Sequence, residues 1–224
     1  KLYGSANGYK IPFLCSRIIW LFGELRDDIN QDKNTKQFVY NAILTHLEPM
    51  RSGINDLSLE NELLLLRLIS AEALHRLLDD TQFEANEYEH LLQKTFGLLL
   101  KLVQDCDASL GCMQDVLRYI STCIKQNAAT LSGEGKRRQN GGNHQNQNQN
   151  NQNINHEQIV NSIFQSMGDV WESCDSTETN LCRVNLIRCI KHLIGCMKSQ
   201  NVHKLYPKLV PMIAYCTEST DDDN

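Results

Sequence analysis

Nine cysteines, at 15, 106, 112, 123, 174, 182, 189, 196 and 216, are the residues of greatest chemical reach in this chain of 224. A structural zinc site brings four ligands to one point, sulfur at about 2.3 Å. Its usual sequence mark, a C-x-x-C pair, is absent. Cys182, Cys189 and Cys196 stand seven apart. On a helix that spacing separates successive thiols by about 10.5 Å along the axis, so these three cannot share an ion. Eight of the nine lie in or beside apolar helical patterns. The expected state is reduced, metal-free cysteine serving as a small hydrophobe, because disulfide frameworks belong to small secreted chains.

The seven histidines, at 46, 75, 90, 144, 156, 192 and 203, are scattered, with no H-E-x-x-H among them. There is no G-x-S-x-G, no G-x-x-x-x-G-K-[ST] and no G-x-G-x-x-G. Hydrolase and nucleotide chemistry therefore lack their usual frames. Asp79 and Asp80 form a carboxylate pair, but beside Thr81 at a helix end they read as a solvated turn. Lys136, Arg137 and Arg138 make a short basic triplet, read as solvated loop. The Asp221–Asp223 run reads as an exposed turn. No catalytic, cofactor-binding or metal-ligating residue is assigned, no cofactor is expected, and the chain is read as a non-enzyme.

Lys and Arg total 22 against 27 Asp and Glu, a formal net charge of −5. That balance argues against binding nucleic-acid phosphates, which needs a basic excess. No apolar run approaches the ~18 residues of a membrane span, so no membrane insertion is expected. Hydrophobic residues make up 41%, enough for a core, while 4 Pro and 12 Gly are too few turn-formers for a sandwich or barrel. The chain opens on Lys1 with no signal-peptide pattern, and is expected to be part of a longer polypeptide.

The elements that must position any site are helices, because apolar residues recur at helical spacing. Leu14, Ile18, Leu21, Phe22, Leu25 and Ile29 trace a first helix. Val39, Ala42, Ile43, Leu47 and Met50 trace a second, with Asn34 and Gln37 as its capping box and Pro49 at its end. A third runs from Leu59 to Leu78 through Leu63–Leu66 and Leu74. Tyr88, Leu92, Phe96, Leu99 and Val103 trace a fourth, boxed by Asn86 and Glu89. Leu110, Met113, Leu117, Ile120 and Ile124 trace a fifth. Asn155 and Gln158 cap a sixth with Ile159, Ile163, Phe164 and Met167. Asp175 and Glu178 cap a seventh, Thr177 to Ser199. An eighth carries Leu205, Leu209, Met212, Ile213 and Cys216, with Pro207 in its first turn and Pro211 inside it. No segment alternates with period two, so no strand is expected.

Between the fifth and sixth helices, residues 139–155 contain eight Asn and five Gln. Such a tract buries nothing and is expected to stay disordered from 132 to 154. Deleting it should leave stability nearly unchanged, since loop length alters closure entropy only slowly. It separates helices in 1–131 from helices in 155–224.

Paired in order, alternate helices begin near Pro12, Leu59, Ala108 and Thr177, spacings of 47, 49 and 69. Without an insert of about 25 residues the last falls to about 44, inside the ~40–47 residue period of HEAT and armadillo arrays. Cys182, Leu186, Cys189, Leu193 and Cys196 form one stripe of the seventh helix, and Ile187, Ile190, Ile194 and Met197 an adjoining one. So wide an apolar face suits a helix touching its partner and both neighbouring repeats. The predicted fold is all-α, a HEAT-repeat solenoid of four antiparallel pairs. Two pairs and the first helix of a third lie in 1–131; 155–224 completes the third and adds a fourth.

Three stretches carry a resemblance. Arg17-Ile18-Ile19-Trp20-Leu21-Phe22-Gly23, Leu74 to Phe83 (LHRLLDDTQF), and Leu205-Tyr206-Pro207-Lys208-Leu209-Val210-Pro211-Met212-Ile213 resemble, in the same order, motifs of the karyopherin-β (importin-β) nuclear transport receptors, closest to the importin-eleven branch. The likeness covers nearly the whole chain outside the Asn/Gln tract. It implies a central segment of an importin-type carrier, present in cytoplasm and nucleus, including the nuclear envelope and pore. It further implies protein cargo on the inner surface, FG nucleoporins on the outer surface, and Ran GTPase bound mainly by N-terminal repeats of the full-length protein. No family contact residue carries over, so individual protein-binding residues are not assigned. The natural places for contacts are the polar faces near Lys36–His46, Glu87–Lys101, Glu157–Ser166 and His203–Lys208. The alternative reading is a HEAT-repeat scaffold or regulatory subunit of a protein complex.

Overall fold

The computed structural model describes residues 12–49, 57–79, 84–106, 111–132, 156–174, 180–197 and 202–218. Among them every regular element is helical. In chain order these are α1 (Pro12–Glu24), α2 (Arg26–Ile29), α3 (Lys33–Leu47), α4 (Leu57–Leu78), a 3-10 turn (Ala85–Leu91), α5 (Leu92–Asp105), α6 (Cys112–Gln126), α7 (Ala128–Leu131), α8 (His156–Ser173), α9 (Asn180–Cys196), a 3-10 turn (His203–Leu205) and α10 (Tyr206–Glu218). The expectation of an all-α chain without strands holds for these residues. The Asn/Gln tract, the Lys136–Arg138 triplet, the caps at Asn155, Asp175 and Glu178, and Asp221–Asp223 lie outside them.

The long helices touch in two chain-ordered series. In one, α1 packs on α4, α4 on α6, and α6 on α9. In the other, α3 packs on α5 and α5 on α8, and α10 joins α8 where Lys208 Nζ donates to Gln165 Oε1 at 2.8 Å. The series meet through α3–α4, α5–α6 and α8–α9. One continuous core of buried side chains runs from Ile19 to Met212.

Specific contacts fix each step. Gly23 lets α1 approach α4, since a Cβ there would stand 3.3 Å from the Ala73 Cα. Arg76 of α4 pairs with Glu24 of α1. The His75 and Tyr119 rings stack at 4.8 Å between α4 and α6. Cys189 Sγ donates to the Leu117 carbonyl at 3.2 Å, and Asn185 Nδ2 to that of Gln114 at 3.0 Å, between α9 and α6. In the second series Tyr40 OH and Thr95 Oγ1 are 3.0 Å apart, and Tyr40 stacks on Tyr88 at 4.4 Å. Buried Arg67 ties the two series together: Nε donates to the Leu47 carbonyl at 3.2 Å and NH1 to Asp105 Oδ2 at 2.7 Å.

Several sequence expectations need correction. Asp32, not Asn34, caps α3, its carboxylate accepting the Thr35 N–H at 2.7 Å. Asn86 and Glu89 do not box an α-helix; they lie within the 3-10 turn, and α5 starts at Leu92 with no side-chain cap. The first helix breaks at Leu25. Its buried face is Pro12, Ser16, Ile19 and Gly23, whereas Leu14, Leu21 and Leu25 are exposed. Small residues pack α1 closely on α4, so the face that meets the core is not the most apolar one. Leu65 and Ile213 are exposed as well.

Candidate protein-binding face

The helices of the second series bury one side against the first series and turn the other outward. On α3 the buried side is Val39, Tyr40, Ile43, Leu44 and Leu47. A step of 100° per residue then carries Gln37, Phe38, Asn41 and Thr45 to the opposite side, where all four are exposed. Two fold back on their own helix: Asn41 Nδ2 donates to the Gln37 carbonyl at 3.0 Å and Thr45 Oγ1 to that of Asn41 at 2.9 Å. Phe38, 58% exposed, is an aromatic ring on an otherwise polar ridge.

On α5 the outward side carries Gln93, Lys94, Gly97 and Lys101. Lys94 Nζ reaches Glu48 Oε1 at 2.6 Å and links the α5 ridge to the end of α3. A Cβ on Gly97 would have nothing within 4 Å, so packing does not demand glycine there. On α8 a groove of about 660 Å³ is lined by Glu157, Gln158, Asn161, Ser162, Gln165 and Ser166. Its amides and hydroxyls offer both donors and acceptors, with one carboxylate. Gln165 is oriented twice, accepting from Lys208 Nζ and donating to Asp169 Oδ1 at 3.2 Å. Such a surface can hydrogen-bond a polypeptide.

Of the four predicted faces, Glu157–Ser166 coincides with the groove. The ends of the first range do not belong to a surface: Lys36 and His46 are buried. Lys36 bridges Glu87 Oε2 at 3.2 Å, and Lys33 bridges Oε1 at 3.0 Å. Hydrogen bonds from Lys33 and Lys36 hold the Glu87 carboxyl below the usual carboxylate range. Glu87 is thus a tie within the structure, and the exposed residues of the second range are His90, Gln93, Lys94, Gly97 and Lys101. From His203–Lys208, Lys208 is exposed and engaged with α8. Phe38 was not singled out from the sequence. Its signal was an apolar side chain beside, not on, the Val39–Ile43–Leu47 stripe.

The cysteines are mainly core residues. Cys106, Cys123, Cys174, Cys182, Cys189 and Cys196 are buried, and Cys15 and Cys112 partly so. Burial pushes the Cys123 and Cys189 thiols up to about 12. Among the described residues no three His, Cys, Asp or Glu gather as a metal site would require, and no helix is long and apolar enough to cross a membrane. No family model, no curated protein and no solved structure matches this chain.

Proposed function

We propose that this chain is a HEAT-type solenoid segment of an importin-like nuclear transport receptor, and that the outward face of α3, α5, α8 and α10 receives protein cargo. The observation that carries the solenoid reading is the packing order: each layer is built from helices that touch in chain order. A stack of that kind leaves a long surface on one layer and binds by distributed contacts. The amide-lined groove on α8 and the Lys94–Lys101 ridge supply hydrogen bonding and charge, and Phe38 an aromatic anchor. The karyopherin-β resemblance of the Arg17–Gly23, Leu74–Phe83 and Leu205–Ile213 stretches supplies the class of carrier. On that reading the full protein shuttles between cytoplasm and nucleus, engages FG nucleoporins, and releases cargo under Ran control.

Passage through pores tests this reading. In permeabilised cells the labelled full-length protein should concentrate at the nuclear envelope and enter nuclei faster than an inert protein of equal size. Exclusion matching the inert control would favour a static HEAT scaffold.

A further inference from the structure

Helices α6 and α9 gather basic side chains along the seam where they meet. Asn185 Nδ2 donates to the Gln114 carbonyl at 3.0 Å and Cys189 Sγ to that of Leu117 at 3.2 Å. Both contacts advance in the same direction, so the two helices run parallel, with Arg188 level with Leu117 and His192 level with Ser121. At 100° per residue, Arg118 and Lys125 lie within about 40° of Gln114, and Leu181, Arg188 and His192 within about 60° of Asn185. Arg118, Lys125, Leu181 and Arg188 are exposed and His192 is half-buried. On α9 the seam widens into one exposed stripe of Leu181, Val184, Arg188, Lys191 and Gly195 at helical spacing. A Cβ on Gly195 would have nothing within 4 Å, so the stripe ends open.

The charge of this seam runs against that of the chain. Helices α6 and α9 carry Arg118, Lys125, Arg183, Arg188 and Lys191 against one carboxylate, Asp115, whereas the whole chain has a net charge of −5. Arg183 lies over the Trp171 ring of α8, away from the seam. Asp115 pairs with Arg118 at 3.1 Å, both about half exposed. Arg188 is held in place by Asn185 Oδ1 at 3.0 Å. Lys125, Arg188 and Lys191 form no ion pair with a described residue. Burial, with Lys191 and Lys125 close by, holds the His192 imidazole below its usual value. Before the cations, Leu181 and Val184 stand 62% and 43% exposed.

We propose that the α6–α9 seam is a second protein-binding surface, and that it takes an acidic segment of a partner protein. Apolar residues of that segment rest on Leu181 and Val184, and its carboxylates meet Arg188, Lys191, Lys125 and Arg118. Complementary charge supplies partner choice and fast encounter, and apolar contact at one end fixes the direction in which the segment lies. A nucleic acid would leave Leu181 and Val184 uncovered and would meet a chain of net negative charge. The surface belongs to the first series of helices, apart from the cargo face on α3, α5, α8 and α10, and stands whether or not the chain serves transport.

Fluorescence anisotropy of the full chain tests this, with a labelled peptide in which two leucines precede a run of glutamates. The peptide should bind, and added salt should weaken it. Charge reversal at Lys125→Glu with Lys191→Glu should lower affinity about tenfold or more. Lys94→Glu with Lys101→Glu makes the same change in net charge on α5 and should leave affinity within about twofold. Leu181→Ser should weaken the leucine-bearing peptide and leave an all-glutamate version unaffected. All four substitutions replace exposed side chains, and unchanged melting curves establish that the variants are folded. No binding by the unaltered chain, equal losses from the α9/α6 and α5 reversals, or a single-stranded DNA of equal charge that binds as tightly as the peptide would overturn the assignment.

Discussion

Arg67 is a buried guanidinium with partners from two different helices at Nε and NH1, while its NH2 is buried without a hydrogen-bond partner among the described residues. Removing one partner leaves charge in a dry site. Asp105→Ala should therefore lower unfolding free energy by about 1–2 kcal/mol, the range for a lost charge-assisted bond with a half-exposed acceptor. Glu48→Ala breaks an ion pair whose two members are about half exposed, and should cost under about 1 kcal/mol. Urea titration of the two variants separates these cases. His46 gives a pH signature. Burial holds its imidazole below the usual value near 6.5, so as pH falls the unfolded chain takes up the proton first. Stability is fully present above about 6.5 and is lost progressively below it. His75, also lowered by burial, adds to the same slope. His46→Gln should flatten the pH dependence of the melting temperature between pH 7 and 5; an unchanged slope would show that His46 is not its source. The burial of Lys36 and His46 was not legible in sequence, because their types predict exposure and only the Tyr88–Glu87 side of the neighbouring turn covers Lys36.

At the scale of single helices, two glycines give opposite expectations. Gly23 is required by contact, its added Cβ meeting Arg76 Cδ at 3.0 Å and the Ala73 Cα at 3.3 Å. Gly23→Ala should destabilise by about 1–3 kcal/mol through overpacking. Gly97 faces open space on α5, so Gly97→Ala should stabilise by about 0.5–1 kcal/mol by restricting the unfolded chain and favouring the helix. Thermal melts of both variants check the signs. One face of helix α9 could be read from sequence: its Cys182–Leu186–Cys189–Leu193–Cys196 stripe is buried as expected, while of the adjoining stripe Ile190 is buried and Ile187, Ile194 and Met197 are half-buried. A helix contacted on several sides needs a wide apolar face, and the pattern records it. Helix α1 could not, because its packing selects small Ser16 and Gly23 while large apolar residues remain outside. The expected cap of α3 failed for a local reason. Asp32 lies one residue before the first helical position of α3, whereas Asn34 merely fits the capping spacing from inside the helix.

At the scale of the whole molecule, helix order and, among the described residues, the absence of strands followed from periodicity, since burying apolar stripes decides both. The outward face was only partly legible. Glu157–Ser166 stood out as a polar side of an amphipathic helix, but folding places few demands on surface residues, so residue pattern alone does not say what binds there. The proposed transport function rests on the three stretches that resemble transport receptors and on helices that touch in chain order. Ran binding discriminates a carrier from a static scaffold. Full-length protein should be retained on immobilised Ran loaded with GTP and should wash through the same Ran loaded with GDP. Equal retention on both forms, or none on either, would contradict the transport reading.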